Sequence, residues 1–398
     1  MRIPKKTQEI PPTPIDLINS RANIHRANGK DIINMGQGMP GFAPIAPVKE
    51  IALNYLDKPD TNSYSLDAGL PALRQELARF LINRQNIVFD PETEILITAG
   101  GNQAFVLSIL TLLEPGDKVL LPSPVFFNHA MAIKALGCEP IEIPLDPHTG
   151  FQLTMDDLQP YLNSDPKMLV IVSPNNPTGA VYQPDSLLAI AHELAARNIT
   201  IVNDETYGVF TYDNARHFSL ASVPELRSHV ITINSFSKSF SLGGWRLGYV
   251  IGDATFIQHA IKIQDSMIIC APVIAQKIVT HILENFPDDV LTQRVQILNE
   301  RRLTLADNLV DKIPSFSWQP TCGAIYAFVH VKDCTDSTAL ALDILDNTFV
   351  STIPGNAFGK NWEGYLRLSY GNVTATDLQQ ACNRLKVYFE QIPSKHSG

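Results

Sequence analysis

Three apolar, β-branched runs in the middle of the chain constrain the fold most. They read MLVIV, ITIVN and VITIN, and polar residues follow each of them: Asn176 after the first, Asp204 after the second and Lys238 after the third. A helical pattern, SLLAIAHELAARN, separates the first two runs. Buried strands that alternate with helices are typical of an open α/β sheet, whose ligands bind at the carboxyl ends of the strands. The sequence therefore predicts an α/β fold in which these three residues share one ligand site.

Lys238 lies in a small polar segment, SFSKSFSLGGW, between two apolar runs. A lysine held there is partly desolvated, which lowers its pKa and makes the neutral amine available for a Schiff base with an aldehyde. Ser235 and Ser237 offer hydroxyl groups, and Arg246 can bind an oxyanion through two parallel hydrogen bonds. We interpret this segment as a phosphate pocket beside a reactive amine.

A second phosphate-binding element is predicted in EILITAGGNQAFVLSILTLL, which reads as a strand, a pair of glycines and an apolar helix. This order places the amides of Gly101, Asn102 and Gln103 at a helix N-terminus, where backbone donors and the helix dipole attract phosphate.

The Ser-Phe-Ser-Lys that ends at Lys238, followed by Gly-Trp-Arg-Leu-Gly-Tyr, resembles the cofactor-lysine signature of the class I/II (fold-type I) aminotransferases, which use pyridoxal 5'-phosphate. The resemblance implies a large domain with a mostly parallel sheet in a three-layer α/β/α arrangement, and a smaller α+β domain. It also implies that Lys238 carries the internal aldimine and that Ser235, Ser237 and Arg246 hold the cofactor phosphate.

Further blocks of the chain resemble the same family. By that resemblance Asn176, in Asn-Asn-Pro-Thr-Gly, donates to the cofactor's ring oxygen, and Tyr207 binds the same oxygen. Asp204 pairs with the pyridine nitrogen and keeps it protonated, so that the ring can act as an electron sink. Phe126 stacks on the pyridine face. A turn is the alternative reading for Asn-Pro-x-Gly, and core packing is the alternative for Phe126.

The family resemblance also implies the substrate contacts. Gly38, Asn176 and Arg367 bind the substrate carboxylate, and Tyr64 reaches across a dimer interface to the cofactor phosphate of the other subunit. From the residues alone, a glycine-rich turn around Gly38 and loop packing of Tyr64 are the alternatives. The glycines of DIINMGQGMPGF are expected to adopt backbone conformations open only to glycine.

The length of 398 residues predicts more than one domain, and we divide the chain into 1–48 (N-terminal arm and part of the small domain), 49–285 (cofactor-binding domain) and 286–398 (small domain). Residues 1–14 are expected to form an arm that is ordered against a partner. The arginines of a predicted helix over 290–310 are expected on a solvated face. They are Arg294, Arg301 and Arg302.

Charge and composition exclude several other classes of protein. The net charge of −9 without a basic run argues against nucleic acid. No apolar stretch reaches the roughly 20 residues that span a bilayer, and the N-terminus lacks the apolar core of a signal peptide, so a cytoplasmic protein is expected. The five scattered cysteines lack metal-ligand spacing, which predicts reduced thiols and no metal site.

The predicted function is transfer of an α-amino group between an L-amino acid and a 2-oxo acid by a ping-pong mechanism, in a homodimer with shared sites. Neutral or aromatic amino acids are favoured because DSMIIC, at 265–270, lacks the second arginine of some aspartate-specific relatives. Other relatives handle aspartate without it, so aspartate stays among the candidate donors. A β-lyase of the same fold would keep every residue named above, whereas a cofactor-binding regulator would need an added DNA-binding domain.

Overall fold

The computed structural model describes residues 2–8, 10, 12–310 and 312–391 of the 398-residue chain. Met1, Glu9 and Pro11 lie outside the described residues, so the predicted arm over 1–14 is covered only in part. Asp311 and residues 392–398 also lie outside them.

The described strands form three sheets. The central sheet has seven strands in the order β2-β8-β7-β6-β5-β3-β4, a four-stranded antiparallel sheet has the order β12-β13-β10-β9, and β1 pairs with β11. Their bounds are β1 Ile33–Asn34, β2 Ile95–Thr98, β3 Lys118–Ser123, β4 Glu139–Pro144, β5 Met168–Val172, β6 Thr200–Asp204, β7 Val230–Ser235, β8 Gly248–Ile251, β9 Phe316–Ser317, β10 Tyr326–Val331, β11 Val350–Ser351, β12 Ile353–Pro354 and β13 Tyr365–Ser369.

The α-helices lie between and around these strands, with short 3₁₀ turns in the loops. They are α1 Lys5–Gln8, α2 Pro14–Ala27, α3 Val48–Leu56, α4 Pro71–Gln85, α5 Gly101–Leu112, α6 Phe127–Leu136, α7 Met155–Leu158, α8 Pro184–Ala196, α9 Phe236–Ser239, α10 Ala254–Ile268, α11 Val273–Glu284, α12 Asp288–Leu309, α13 Ser337–Thr348 and α14 Ala375–Gln391. Across the described residues, every helix is too short or too polar to cross a membrane.

The central sheet is mostly parallel, as predicted: six of its strands run in one direction, and β8 runs antiparallel to both of its neighbours, β2 and β7. Strand β5 is buried along its whole length. Its residues alternate between two cores: Leu169 and Ile171 pack with α8, and Met168 and Val170 pack with α5 on the other face. A strand covered on both faces carries apolar residues at every position, and this explains the unbroken MLVIV run.

The N-terminal segment joins the C-terminal part of the chain. Strand β1 pairs in parallel with β11, with Ile33 opposite Val350. Helix α2 packs against α13, where the Arg21 guanidinium donates to both carboxylate oxygens of Asp346 at 2.8 and 2.7 Å. These contacts place the first turn of α2 close to the small sheet, at the rim of the site described below.

The arginines of α12 do not form a solvated face, so that prediction is wrong. Arg302 is 2 % exposed, pairs with Asp213 and donates to the Thr321 carbonyl at 3.1 Å. Arg294 is also buried and donates to the Ala43 carbonyl at 2.7 Å. Their burial is stable because each guanidinium finds acceptors on segments distant in sequence, which a helical charge pattern cannot reveal.

Candidate active site

The carboxyl ends of β5, β6 and β7 meet at one cavity of about 430 Å³. The cavity is lined by all three residues that follow the apolar runs: Asn176, Asp204 and Lys238. Other predicted site residues that line it are Gly38, Gly101, Asn102, Phe126, Tyr207, Ser235, Ser237, Arg246 and Arg367. The structure thus brings most of the predicted site together, from Gly38 to Arg367, 329 positions apart.

Lys238 lies on the short helix α9, directly after β7. Its ammonium donates to the Gly38 carbonyl oxygen at 2.5 Å and lies 3.4 Å from the Met39 sulfur. Burial, together with the positive charges of Arg367 and Arg246, lowers the pKa of Lys238 to about 8. The neutral amine, which is the nucleophile, therefore becomes available near neutral pH.

Asp204 ends β6 and is buried beside His129, whose Nε2 lies 3.3 Å from Oδ2 of the carboxylate. Burial would raise the pKa of Asp204, but hydrogen bonds from His129 and from Thr206, whose amide donates at 3.0 Å, outweigh it and hold the pKa below its ordinary value. The carboxylate stays ionised at neutral pH, so this corner of the cavity carries a fixed negative charge.

Tyr207 forms a short hydrogen bond, 2.5 Å, with the hydroxyl group of Tyr326. Burial and the neighbouring Tyr326 raise the pKa of Tyr207 well above its ordinary value. The phenol therefore stays protonated and keeps a proton to donate.

Arg367 projects from β13 and is 1 % exposed. Its Nη1 donates to Asn176 Oδ1 at 3.0 Å and its Nη2 donates to the Gly36 carbonyl at 2.6 Å. The guanidinium also lies 4.6 Å from the ring centre of Tyr326. Its Nε is buried without a hydrogen-bond partner, which suits a carboxylate ligand because a bound oxygen would satisfy it.

A second group of hydrogen-bond donors lies near the N-terminus of α5. The first amides of this helix have no intrahelical partners, and Gly101 lies against the side chain of Ser235. Ser235 donates to the Ser237 hydroxyl at 2.9 Å, and Arg246 Nη1 reaches Ser237 Oγ at 3.5 Å. A Cβ at Gly100, where φ is +89°, would collide with the Arg246 guanidinium. Hydroxyls, amides and a guanidinium thus form a cradle for a phosphate group.

Gly38 is required for a different reason than predicted. Neither Gly36 nor Gly38 nor Gly41 adopts a positive φ, so their conformations are open to other residues. A Cβ at Gly38 would collide with the Tyr326 hydroxyl, and one at Gly41 would come within 3.0 Å of the Asn372 backbone. The glycines are therefore needed for close approach of the chain, not for their backbone torsion angles.

Of the three remaining predicted residues, only Phe126 lines the cavity. Phe126 is half-buried and lines the cavity, with its ring packed on Phe127 and His129. Gln103 is not among the lining residues, and its Oε1 instead accepts a hydrogen bond from the Ala99 amide at 2.5 Å. Tyr64 lies outside the cavity of its own chain and is 77 % exposed.

The sequence analysis missed several residues of the site. His129 follows Phe126 by one helical turn, a spacing that could have signalled a shared face of α6. Tyr326 lies in TCGAIYAFVHV, but only the fold brings it to Tyr207. The first turn of α2 also lines the cavity, through Thr13, Ile15 and Asp16.

Comparison with known proteins identifies the family of the chain. The family model of class I and II aminotransferases matches residues 30–385. The aspartate aminotransferase of Pyrococcus abyssi is 34% identical over 361 residues, covering 90% of this chain and 92% of that protein. The aromatic-amino-acid aminotransferase 2 of Thermococcus litoralis is 32% identical, covering 89% of this chain and 91% of that protein.

A solved structure of the aspartate aminotransferase from Thermus thermophilus with maleate superposes with a TM-score of 0.90, at 28% identity, covering 97% of this chain and all of that one. The chain belongs to the class I and II aminotransferase family. It is an aminotransferase of fold-type I, and its cofactor is pyridoxal 5'-phosphate.

The residues present fit this cofactor. The cradle at Gly101, Ser235 and Arg246 suits its phosphate, and the buried, ionised Asp204 suits its pyridine nitrogen. Lys238 and Tyr207 line the same cavity, an amine and a phenol that suit the aldehyde and the ring oxygen. The cofactor has an anionic phosphate and a cationic pyridinium ring, and the cavity has positive charge near the first and negative charge near the second.

Proposed function

We propose that this aminotransferase moves the α-amino group between an L-amino acid and a 2-oxo acid at the described cavity, and that neutral or aromatic amino acids are its preferred donors. The observation that carries the proposal is the convergence of Lys238, Asp204 and Arg367 in one cavity. A reactive amine, a fixed anion and a partly unsatisfied guanidinium are the groups that an amino-acid substrate and the cofactor require.

Each of these residues has a distinct task. The bound cofactor supplies an electron-withdrawing ring that stabilises negative charge at the substrate Cα. Arg367, held by Asn176 and Gly36, binds the α-carboxylate and so fixes the orientation of Cα. Lys238 would accept the proton from Cα at its Nζ and then donate it to the cofactor carbon that receives the amino group, because its lowered pKa makes both the neutral and the protonated amine accessible near pH 8.

A screen of the purified holoenzyme tests this proposal. A panel of L-amino acids is offered with 2-oxoglutarate or pyruvate, and the new 2-oxo acid is measured. We expect neutral and aromatic donors to be turned over with the highest kcat/KM. A holoenzyme that produces no new 2-oxo acid from any donor would contradict the proposal.

We further propose a homodimer in which Tyr64 of one protomer serves the cavity of the other. Support comes from the exposure of large side chains in this part of the sequence and in α10: Leu53 (60 %), Tyr64 (77 %), Leu66 (60 %) and Met267 (44 %). The loop that carries Tyr64 is fixed against α10 and α11: Gln264 donates to the Asp67 carbonyl, and the Leu70 amide donates to Gln276 Oε1. A firmly held loop that displays a tyrosine to solvent is suited to contact a second chain.

Subunit mixing tests the shared site. Tyr64→Ala and Lys238→Ala homodimers should both be impaired, and mixing them should create heterodimers in which one site carries both lesions and the other carries neither. Random pairing places half the chains in heterodimers, so about a quarter of all sites should regain parental activity. If both residues served the same chain, every site would keep a lesion, and verified subunit exchange would restore nothing.

Two further proposals concern the cellular location of the enzyme and the division of the chain into domains. We propose a cytoplasmic enzyme, because all five cysteines are free, as expected in a reducing compartment. We retain the domains 1–48, 49–285 and 286–398, supported by the pairing of β1 with β11 and by the separate central and small sheets.

A further inference from the structure

The first turn of helix α2 forms part of the cavity wall. Thr13, Ile15 and Asp16 all line the cavity, although none belongs to the site predicted from the sequence. The Asp16 carboxylate accepts a hydrogen bond from the Thr13 hydroxyl at 2.5 Å, and Arg21 ties the next turn of the helix to Asp346. Asp16 is therefore held at the cavity on an anchored element.

The proposed reaction does not use the carboxylate of Asp16. Among the described lining residues the cations are Lys238, Arg246 and Arg367. Lys238 is the reactive amine, Arg246 is assigned to the cofactor phosphate and Arg367 to the substrate α-carboxylate. Of the two lining carboxylates, Asp204 is buried with His129. The charge that remains is the exposed carboxylate of Asp16, so the described wall offers no cation to a second carboxylate of a substrate.

The cavity wall also contains apolar residues. Ile15 precedes Asp16 in the chain, and Phe127 follows Phe126 at the start of α6. Ile15 and Phe126 are partly buried and pack against the hydrophobic core that contains Phe127. Such a wall gains free energy by covering an apolar or aromatic side chain.

We propose that Asp16 is a specificity-determining residue that disfavours dicarboxylic substrates, and that Ile15 and Phe127 form the subsite for an uncharged side chain. This inference rests on the proposed function and specifies its substrate class. A distal carboxylate brought to this wall meets a like charge. Because Asp16 is exposed and water screens it, the expected penalty is about tenfold in affinity.

Binding of substrate analogues that lack the amino group tests the inference without a reaction. Dissociation constants of 3-phenylpropionate and succinate are measured by calorimetry on the holoenzyme and on its Asp16→Asn and Asp16→Lys variants. Asp185→Asn is a matched control, since Asp185 is an exposed aspartate in the first turn of α8 and does not line the cavity.

The parent should bind 3-phenylpropionate at least about tenfold more tightly than succinate. Asp16→Asn should narrow this ratio by about threefold and Asp16→Lys by about tenfold or more, with a smaller effect at high salt, while Asp185→Asn leaves it unchanged. A parent that binds succinate as tightly, or a ratio that stays within about twofold in both Asp16 variants, would overturn the inference. Failure of the proposed function is a separate result, namely no amino transfer from any donor.

Discussion

Replacing Lys238 by alanine should abolish amino transfer, lowering kcat by at least about four orders of magnitude. Lys238 is the one lysine among the described residues that line the cavity, so no neighbouring amine can take its place there. The visible, pH-dependent absorption band of the lysine-bound cofactor should disappear as well. Cofactor should still bind, since Ser235, Ser237 and Arg246 are unchanged.

The measurements are steady-state transamination and the visible spectrum at several pH values. Lys118→Ala is the control, because Lys118 is a partly buried lysine whose ammonium donates to the Ser164 carbonyl at 3.2 Å, away from the cavity. The control should keep parental rates and the parental spectrum. Turnover by Lys238→Ala that is comparable to the parent would show that another group carries the chemistry.

Replacing Asp204 by alanine should lower kcat by several orders of magnitude while the protein still folds. Without the buried carboxylate the pyridine nitrogen loses its anionic partner and its proton, and the ring no longer draws charge from Cα. His129, 3.3 Å from the carboxylate in the parent, cannot replace it because a histidine carries no negative charge.

Kinetics and thermal unfolding of Asp204→Ala separate a chemical defect from a folding defect. His129→Asn is a useful companion, since it removes one of the groups that hold the Asp204 pKa low but leaves the carboxylate in place. It should reduce the rate far less than Asp204→Ala. Normal rates in Asp204→Ala would mean that the ring nitrogen has another partner.

The central sheet and the position of the main site residues could be predicted from the sequence, for a physical reason. Strands β5, β6 and β7 are almost wholly buried, so β5 is apolar at every position and β6 and β7 are rich in Ile and Val. The carboxyl ends of β6 and β7 are marked by pairs of polar residues, Asn203 with Asp204 and Asn234 with Ser235. Because neighbouring parallel strands end at one edge, Asn176, Asp204 and Lys238 could be placed together before their distances were known.

Contacts made by distant segments could not be predicted in this way. Tyr326 lies 119 positions from Tyr207, and only the pairing of β10 with β13 brings it beside Arg367 and into the cavity. The position of Asp16 depends on the packing of α2 against α13. No local periodicity records such contacts, since they arise from the way whole elements pack.

The burial of the α12 arginines could not be predicted from the sequence either. A charged residue every few positions along a helix is typical of a solvated face, yet Arg302 is buried because Asp213 and the Thr321 carbonyl accept its hydrogen bonds. The sequence contains these acceptors but gives no signal that they meet Arg302.

The central claim is that this cavity moves an amino group from one carbon skeleton to another, and isotope transfer tests it most directly. The holoenzyme is incubated with phenylalanine labelled with nitrogen-15 and with unlabelled 2-oxoglutarate, and the products are analysed by mass spectrometry. We predict labelled glutamate and phenylpyruvate in equal amounts, with no free labelled ammonia, and no product from the Lys238→Ala variant. If substrates with a leaving group at Cβ instead gave ammonia and pyruvate while no donor passed its label to a 2-oxo acid, the enzyme would be a β-lyase and the claim would be contradicted.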